Sequence, residues 1–216
     1  MISTFVFGIV YALLFLIIAF FLFWRLWFCR QPRRQMPKGD KVIVSPANGT
    51  VAVVRRFDTT LAKKTIKAQK WNTGSVEFLA QDVAQRGWFV LIVMTPLNVH
   101  YQRAPFAGKV IGTHYAPGKF HNAVKNAEKL LTLENEKNEI LFEGKDGRFK
   151  VVQIAGVLAR RISCFVGKNH KVEKGQVIGF INIGSQVALL LPAKARLSVK
   201  EGDAVVDGET VIGAFK

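Results

Sequence analysis

At 216 residues, 50% hydrophobic and only 21% charged, the chain supports one membrane segment plus one compact domain with a core of its own. Its two cysteines, Cys29 and Cys164, lie far apart and form no CxxC or ligand cluster, which excludes a disulfide framework and a zinc site. A net charge of +16, from 31 Lys and Arg against 15 Asp and Glu, leaves two partners, nucleic acid or an anionic membrane.

The first 24 residues, "MISTFVFGIVYALLFLIIAFFLFW", choose between them, because they carry no charged side chain. Phe5 to Trp24 is 20 consecutive residues of largely apolar character. At about 1.5 Å per residue this makes roughly 30 Å of helix, the thickness of a hydrocarbon core. A positively charged leader and a small-residue cleavage site are both missing, so a retained anchor is expected and nucleic acid is set aside. The next stretch, "RLWFCRQPRRQMPKGDK", holds six basic residues (Arg25, Arg30, Arg33, Arg34, Lys38 and Lys41) and one acid. This positive flank predicts a single-pass protein of the cell membrane with its domain in the cytoplasm. Trp24, Trp27 and Phe28 suit the headgroup belt, and each basic residue close to anionic lipid contributes about 1 kcal/mol. The expected organisation is an anchor with interfacial flank over 1–29, a basic linker over 30–40 containing Pro32 and Pro37, and one domain over 41–216.

"KVIVSPANGTVAVVRRF" opens that domain as strand, turn and strand, with "SPANG" as the turn. "KKTIKAQKW", "SVEFLA" and "WFVLIVMTP" are further strand candidates. "HNAVKNAEKLLTLENEKNEI" holds a short helix or irregular segment, and "RFKVVQIAGVLARRISCFV" returns to strands. The expected class is mainly β with short helical segments (α+β). At the C-terminal end "VGKNHKVEKGQVIGF" resembles "VKEGDAVVDGETVIGAF", with Gly167 matching Gly202 and Gly175 matching Gly208. Such a pair predicts a barrel-sandwich-hybrid-like core, the architecture of biotinyl and lipoyl carriers. The hairpin between the copies would present a modifiable lysine in a carrier. Here no lysine lies between Lys174 and Lys194, and the polar step Gly184-Ser185 interrupts two apolar runs instead.

Six stretches in chain order carry a resemblance: "SPANGTV" (45–51), "MTPLNVHYQRAPFAGKV" (94–110), "HYAPGKF" (114–120), "NEKN" (135–138), "QIAGVLARRI" (153–162) and "GFINIGSQVALLLP" (179–192). Together they resemble the phosphatidylserine decarboxylases, most closely the short, membrane-anchored, pyruvoyl-dependent form. The resemblance implies a proenzyme in which Ser185 Oγ attacks the Gly184 carbonyl to give an ester. β-Elimination then frees the large subunit, and the dehydroalanine hydrolyses to a pyruvoyl group heading a small subunit, 185–216. Glycine suits the first step, since it leaves the carbonyl open and accepts a strained turn.

The implied substrate is a membrane phospholipid. Phosphatidylserine would be decarboxylated to phosphatidylethanolamine through a Schiff base, the ketone draining electrons from the departing carboxylate, with no metal. The resemblance makes His100 the acid or base and puts Asn48 where the family has an aspartate, and an amide cannot stabilise an imidazolium by charge. It puts Arg103 where longer members have a second histidine and short members tend to have arginine. Arg103, Arg160 and Arg161 could meet a phosphate or carboxylate bidentately, and at most one of the "ARRI" pair faces a pocket. Arg103, Arg161 and His114 are the substrate-binding candidates. His121 and His170 are weaker, and no histidine has metal-ligand spacing with another. The implied partners are the lipid substrate, an anionic membrane surface and the two subunits from one chain, with self-association left open. Two other functions stay open: a family member that has lost processing, suggested by Asn48, and a membrane-tethered adaptor without catalysis.

Overall fold

The computed structural model describes residues 2–60, 76–119, 121, 131–156, 161–182 and 184–216. The strand expected at "KKTIKAQKW", most of "HNAVKNAEK" and Arg160 lie outside them. The chain divides into two units, Met1–Pro32 and Arg33–Lys216.

In the first unit α1 (Ile2–Leu22) carries no charge and leads into a π-helical turn, Phe23–Phe28. Val6–Phe28 is long and apolar enough to cross a membrane. Aromatic rings stack down its C-terminal side, Phe20 on Trp24 and Trp24 on Phe28, and the Arg30 guanidinium lies 4.2 Å from the Trp27 ring centre.

The second unit is built from β1 (Val42–Val44), β2 (Gly49–Asp58), a short helix α2 (Val76–Ala80), β3 (Arg86–Met94), β4 (Tyr101–Arg103), β5 (Gly108–Ala116), a 3₁₀ turn (Leu131–Glu134), β6 (Lys137–Gly144) and β7 (Gly147–Ile154). β8 (Ile162–Cys164), β9 (Lys171–Val172), β10 (Val177–Ile181), β11 (Ser185–Pro192), β12 (Ala195–Leu197), β13 (Ala204–Val205) and β14 (Val211–Phe215) complete it. Eight strands form one antiparallel sheet in the order β13-β2-β3-β11-β7-β6-β5-β9. Two three-stranded sheets, β1-β14-β12 and β4-β10-β8, accompany it.

β11 is central and buried along its whole length. Its odd positions Val187, Leu189 and Leu191 join one core with Val90, Ile92 and Met94 of β3, Ile178 of β10 and Ile212 of β14. Its even positions Ala188 and Leu190 meet Phe89, Leu91, Val152 and Leu79 in a second core on the other face. Two-sided burial explains why this strand reads as an unbroken apolar run, while β2 alternates along much of its length.

The C-terminal repeat is visible in the topology. β9 and β13 take the two opposite ends of the large sheet, and their successors β10 and β14 enter the two small sheets. The matching glycines Gly175 and Gly208 both turn with positive φ, and both approach Met36. A Cβ would fall 2.3 Å from Met36 Sδ at Gly175 and 2.8 Å from its Cε at Gly208. Around this methionine the segment expected as linker is strapped to the domain: Arg34 pairs with Asp207, Gln35 N donates to Glu209 Oε1 at 3.0 Å, and Lys174 Nζ donates to Pro37 O and Gly39 O.

"SVEFLA", expected as a strand, corrects to helix over Val76–Ala80. Val76, Leu79 and Ala80 recur at helical spacing and bury one face against the second core. Lys150 Nζ, on β7, donates to the Leu79 carbonyl at 2.8 Å and pairs with Glu139 and Asp82, which fastens the helix end to the sheet.

Candidate functional site

Ser185 is the first residue of β11 and lies opposite Met94, the last residue of β3. It is fully buried, its Oγ 3.6 Å from Met94 Sδ. Gly184 precedes it with φ +71, and a Cβ there would meet nothing within 4 Å. The backbone therefore takes, just before Ser185, the left-handed conformation that glycine adopts without strain.

His100 is reached from the same end of β3. After Met94 the chain turns through Thr95–Asn98, closed by Asn98 N donating to Thr95 O at 3.0 Å, and enters β4. β4 pairs with β10, and the His100 carbonyl accepts from Ile181 N at 3.2 Å. The two strand ends are thus tied to the segment 94–100 at two points, Ser185–Met94 and Ile181–His100. The buried His100 ring is oriented by its Nδ1, 2.9 Å from the Asn98 carbonyl. A carbonyl only accepts, so Nδ1 carries the proton and Nε2 is the basic nitrogen of the neutral ring.

Asn48 sits in the turn before β2, beside β3 through the Thr50–Val93 pairing. Its Oδ1 accepts from Asn98 Nδ2 at 2.8 Å, so it reaches the histidine's support and not the ring.

Sequence reasoning missed a buried polar row beneath these residues. Gln102 Nε2 donates to the His100 carbonyl at 2.7 Å, Gln153 Nε2 donates to Gln102 Oε1 at 2.8 Å, and Asn138 Nδ2 donates to Gln153 Oε1 at 2.9 Å. Beside Ser185, Gln186 Oε1 accepts from Thr132 Oγ1 at 2.6 Å. Glutamines inside otherwise apolar strands are the signal, since buried amides require partners. Lys137, from the "NEKN" stretch, is buried with Nζ on the Leu133 carbonyl at 2.7 Å, and burial holds its ammonium below the usual lysine basicity.

The substrate-binding candidates separate. Arg103 is buried, donating from Nε to Asp207 Oδ2 at 2.8 Å and from Nη1 to the Gly175 carbonyl at 2.9 Å. Arg161 is exposed, and its carbonyl accepts from Asn182 N at 3.3 Å, which sets it against the hairpin that carries Ser185. His114 is exposed on β5, with β6 and β7 between it and β11, about 14 Å at strand spacing. His121 is held by Asn135 and lies 3.7 Å from Glu134, and His170 accepts from Gly167 N in an exposed turn. Among the described residues no group of three or more His, Cys, Asp or Glu could hold a metal ion.

The fold thus sets a buried serine behind a left-handed glycine, and ties the preceding strand to the backbone of the buried His100. The family model for phosphatidylserine decarboxylase matches residues 21–213, and the chain belongs to that family. It is similar to the phosphatidylserine decarboxylase proenzyme of Syntrophus aciditrophicus (strain SB), 36% identical over 190 residues, which cover 88% of this chain and 78% of the relative. The proenzymes of Rickettsia akari (strain Hartford) and Rickettsia bellii (strain OSU 85-389) are 35% and 34% identical over 193 residues, 89% of this chain and 75% of each relative.

Proposed function

We propose that this chain is the proenzyme of a pyruvoyl-dependent phosphatidylserine decarboxylase that cuts itself between Gly184 and Ser185. The observation that carries it is the buried Ser185 at the start of β11, directly behind Gly184 at φ +71, with Ile181 of the preceding strand bonded to the His100 carbonyl. His100 Nε2 takes the Ser185 Oγ proton, and Oγ attacks the Gly184 carbonyl, exchanging the amide for an ester. Loss of the Ser185 Cα proton then breaks the Cβ–O bond. This leaves a carboxylate on Gly184 and a dehydroalanine that water converts, with release of ammonia, to a pyruvoyl cap. Burial of Ser185 between Met94 and the core keeps water from the ester before elimination.

The site fits the group it would produce, because the β11 start is enclosed by apolar residues and polar atoms already engaged with one another. Once formed, the ketone supplies an electron sink for a carboxylate next to an amine. His100 is then the proton carrier at the reacting carbon, and Arg161, exposed at the hairpin, meets the headgroup phosphate or carboxylate. The apolar helix anchors the protein in a single pass, and its basic flank places the domain in the cytoplasm against anionic lipid, where the substrate lies.

Mass spectrometry and a denaturing gel test this. The 24.1 kDa chain separates into 1–184 and 185–216, with a blocked pyruvoyl terminus at 185, and the cut protein releases carbon dioxide from phosphatidylserine vesicles. Ser185→Ala stays whole and inactive. A protein that stays uncut, or a Ser185→Ala variant that still decarboxylates, overturns the proposal.

A further inference from the structure

We propose that Asn98 is the positioning residue of His100, and that Asn48 acts on the histidine only through it. For its rate measurements this rests on the proenzyme function proposed above; for its spectroscopic measurement it does not.

Asn98 uses every part of its peptide unit and side chain. Its Oδ1 accepts from Thr95 N at 2.7 Å and from Thr95 Oγ1 at 2.8 Å. Thr95 N can only donate, so the amide orientation is fixed by chemistry and Nδ2 must face the other way. There it donates to Asn48 Oδ1 at 2.8 Å. The backbone N closes the turn onto Thr95 O, and the backbone carbonyl receives His100 Nδ1 at 2.9 Å. The side chain therefore holds the direction of the carbonyl that selects the Nδ1-protonated ring. Asn48, 50 positions away in the chain, ties that turn to the start of β2.

The pair has a definite permutation chemistry. An aspartate at 48 accepts from Asn98 Nδ2 with no rearrangement. An aspartate at 98 keeps both Thr95 bonds, and Asn48 satisfies it by rotating its amide to donate. Aspartates at both positions put two acceptors face to face at the 2.8 Å separation of the present bond, with no proton between them. Each single exchange is therefore tolerated and the double exchange is not.

The test uses the full chain. In uncut Ser185→Ala protein labelled with ¹⁵N-histidine, His100 shows one tautomer, protonated at Nδ1. With Asn98→Ala added it shows a mixture. In the Ser185 background, Asn98→Ala slows self-cleavage on the order of 100-fold, the scale of a misplaced catalytic group. Asn98→Asp and Asn48→Asp each cleave within a few-fold of the parent, and Asn48→Asp/Asn98→Asp falls well below both. An unchanged tautomer in Asn98→Ala, or a double variant as fast as the singles, overturns the proposal. A correct tautomer response in a chain that never cuts itself would overturn the proenzyme function and leave the Asn98 role standing.

Discussion

Arg103 donates from Nε to Asp207 Oδ2 at 2.8 Å, and in the chain the two residues lie on opposite sides of the Gly184–Ser185 bond. Asp207 is fully buried and also takes Arg34, so one carboxylate joins the strap before β1, the end of β4 and the turn before β14. Through that carboxylate residues 1–184 grip residues 185–216, alongside the β1–β14, β3–β11 and β7–β11 pairings.

Removing Asp207 leaves two arginines without their shared partner in a buried place. Asp207→Ala in the uncut Ser185→Ala chain is expected to lower the unfolding free energy by about 3–5 kcal/mol, read from urea titrations. In the chain that carries Ser185, the same change should let fragment 185–216 separate on size exclusion in mild urea while the parent fragments stay together. Arg103→Ala, which leaves Asp207 its Arg34, should lose less. Equal stability of Asp207→Ala and parent would remove the clamp.

Gly184 isolates backbone conformation from crowding, because φ is +71 and a Cβ there meets nothing. Gly184→Ala should therefore cost about 1–2 kcal/mol, the penalty of a left-handed L-residue, in the Ser185→Ala background. Gly184→Asn should recover part of it, since asparagine tolerates that conformation. Self-cleavage should follow the same order, glycine fastest and alanine slowest, on a timed denaturing gel. An alanine variant as stable as the parent would show that the turn does not need this φ.

What could be read from the sequence is what local pattern controls. The run after Ser185 announced a buried strand because β11 is covered on both faces, and the repeat announced itself because its two copies occupy equivalent places at the sheet's ends. α2 was misjudged since five residues of Val-Glu-Phe-Leu-Ala carry little preference, and the helix is settled by Lys150, some 70 residues away, and by the core beneath it. Arg103 stood in a motif that suggested a ligand, and only the fold brings up Asp207, 104 positions later. Asn98 was inside a quoted stretch, yet its part depends on Asn48 arriving beside it, which no local pattern encodes. The stretches that carry the family resemblance were legible and the contacts around them were not, because those contacts are long-range.

Lys137 gives a pH signature. Burial depresses its basicity below the ordinary value of 10.5, with Glu139 and Glu134 acting the other way. Between the depressed value and 10.5 the unfolded chain binds more protons than the folded one, so this residue makes stability rise with pH across that window. Below the window the charged form is present in both states and its burial cost is carried in full. Lys137→Met should be neutral or more stable near neutral pH and should lack the alkaline rise. The difference between the two urea midpoints, followed up to about pH 10.5, measures it. A difference that does not change with pH would mean that the ammonium is not disfavoured where it sits.

Arg161 and Arg103 should part company in kinetics. Arg161 is exposed beside the hairpin, and Arg103 is already spent on Asp207 and Gly175. Arg161→Ala is expected to leave folding and self-cleavage unchanged and to raise KM for phosphatidylserine in vesicles about tenfold, the effect of one charge-assisted hydrogen bond. Arg161→Lys should recover part of the loss, since it keeps the charge without the bidentate fork. Arg103→Ala should instead lower stability and leave KM near the parent value in whatever fraction remains folded. If Arg103→Ala raises KM at full stability and Arg161→Ala does nothing, the headgroup sits on the Arg103 side of β4 and the two roles assigned here are exchanged.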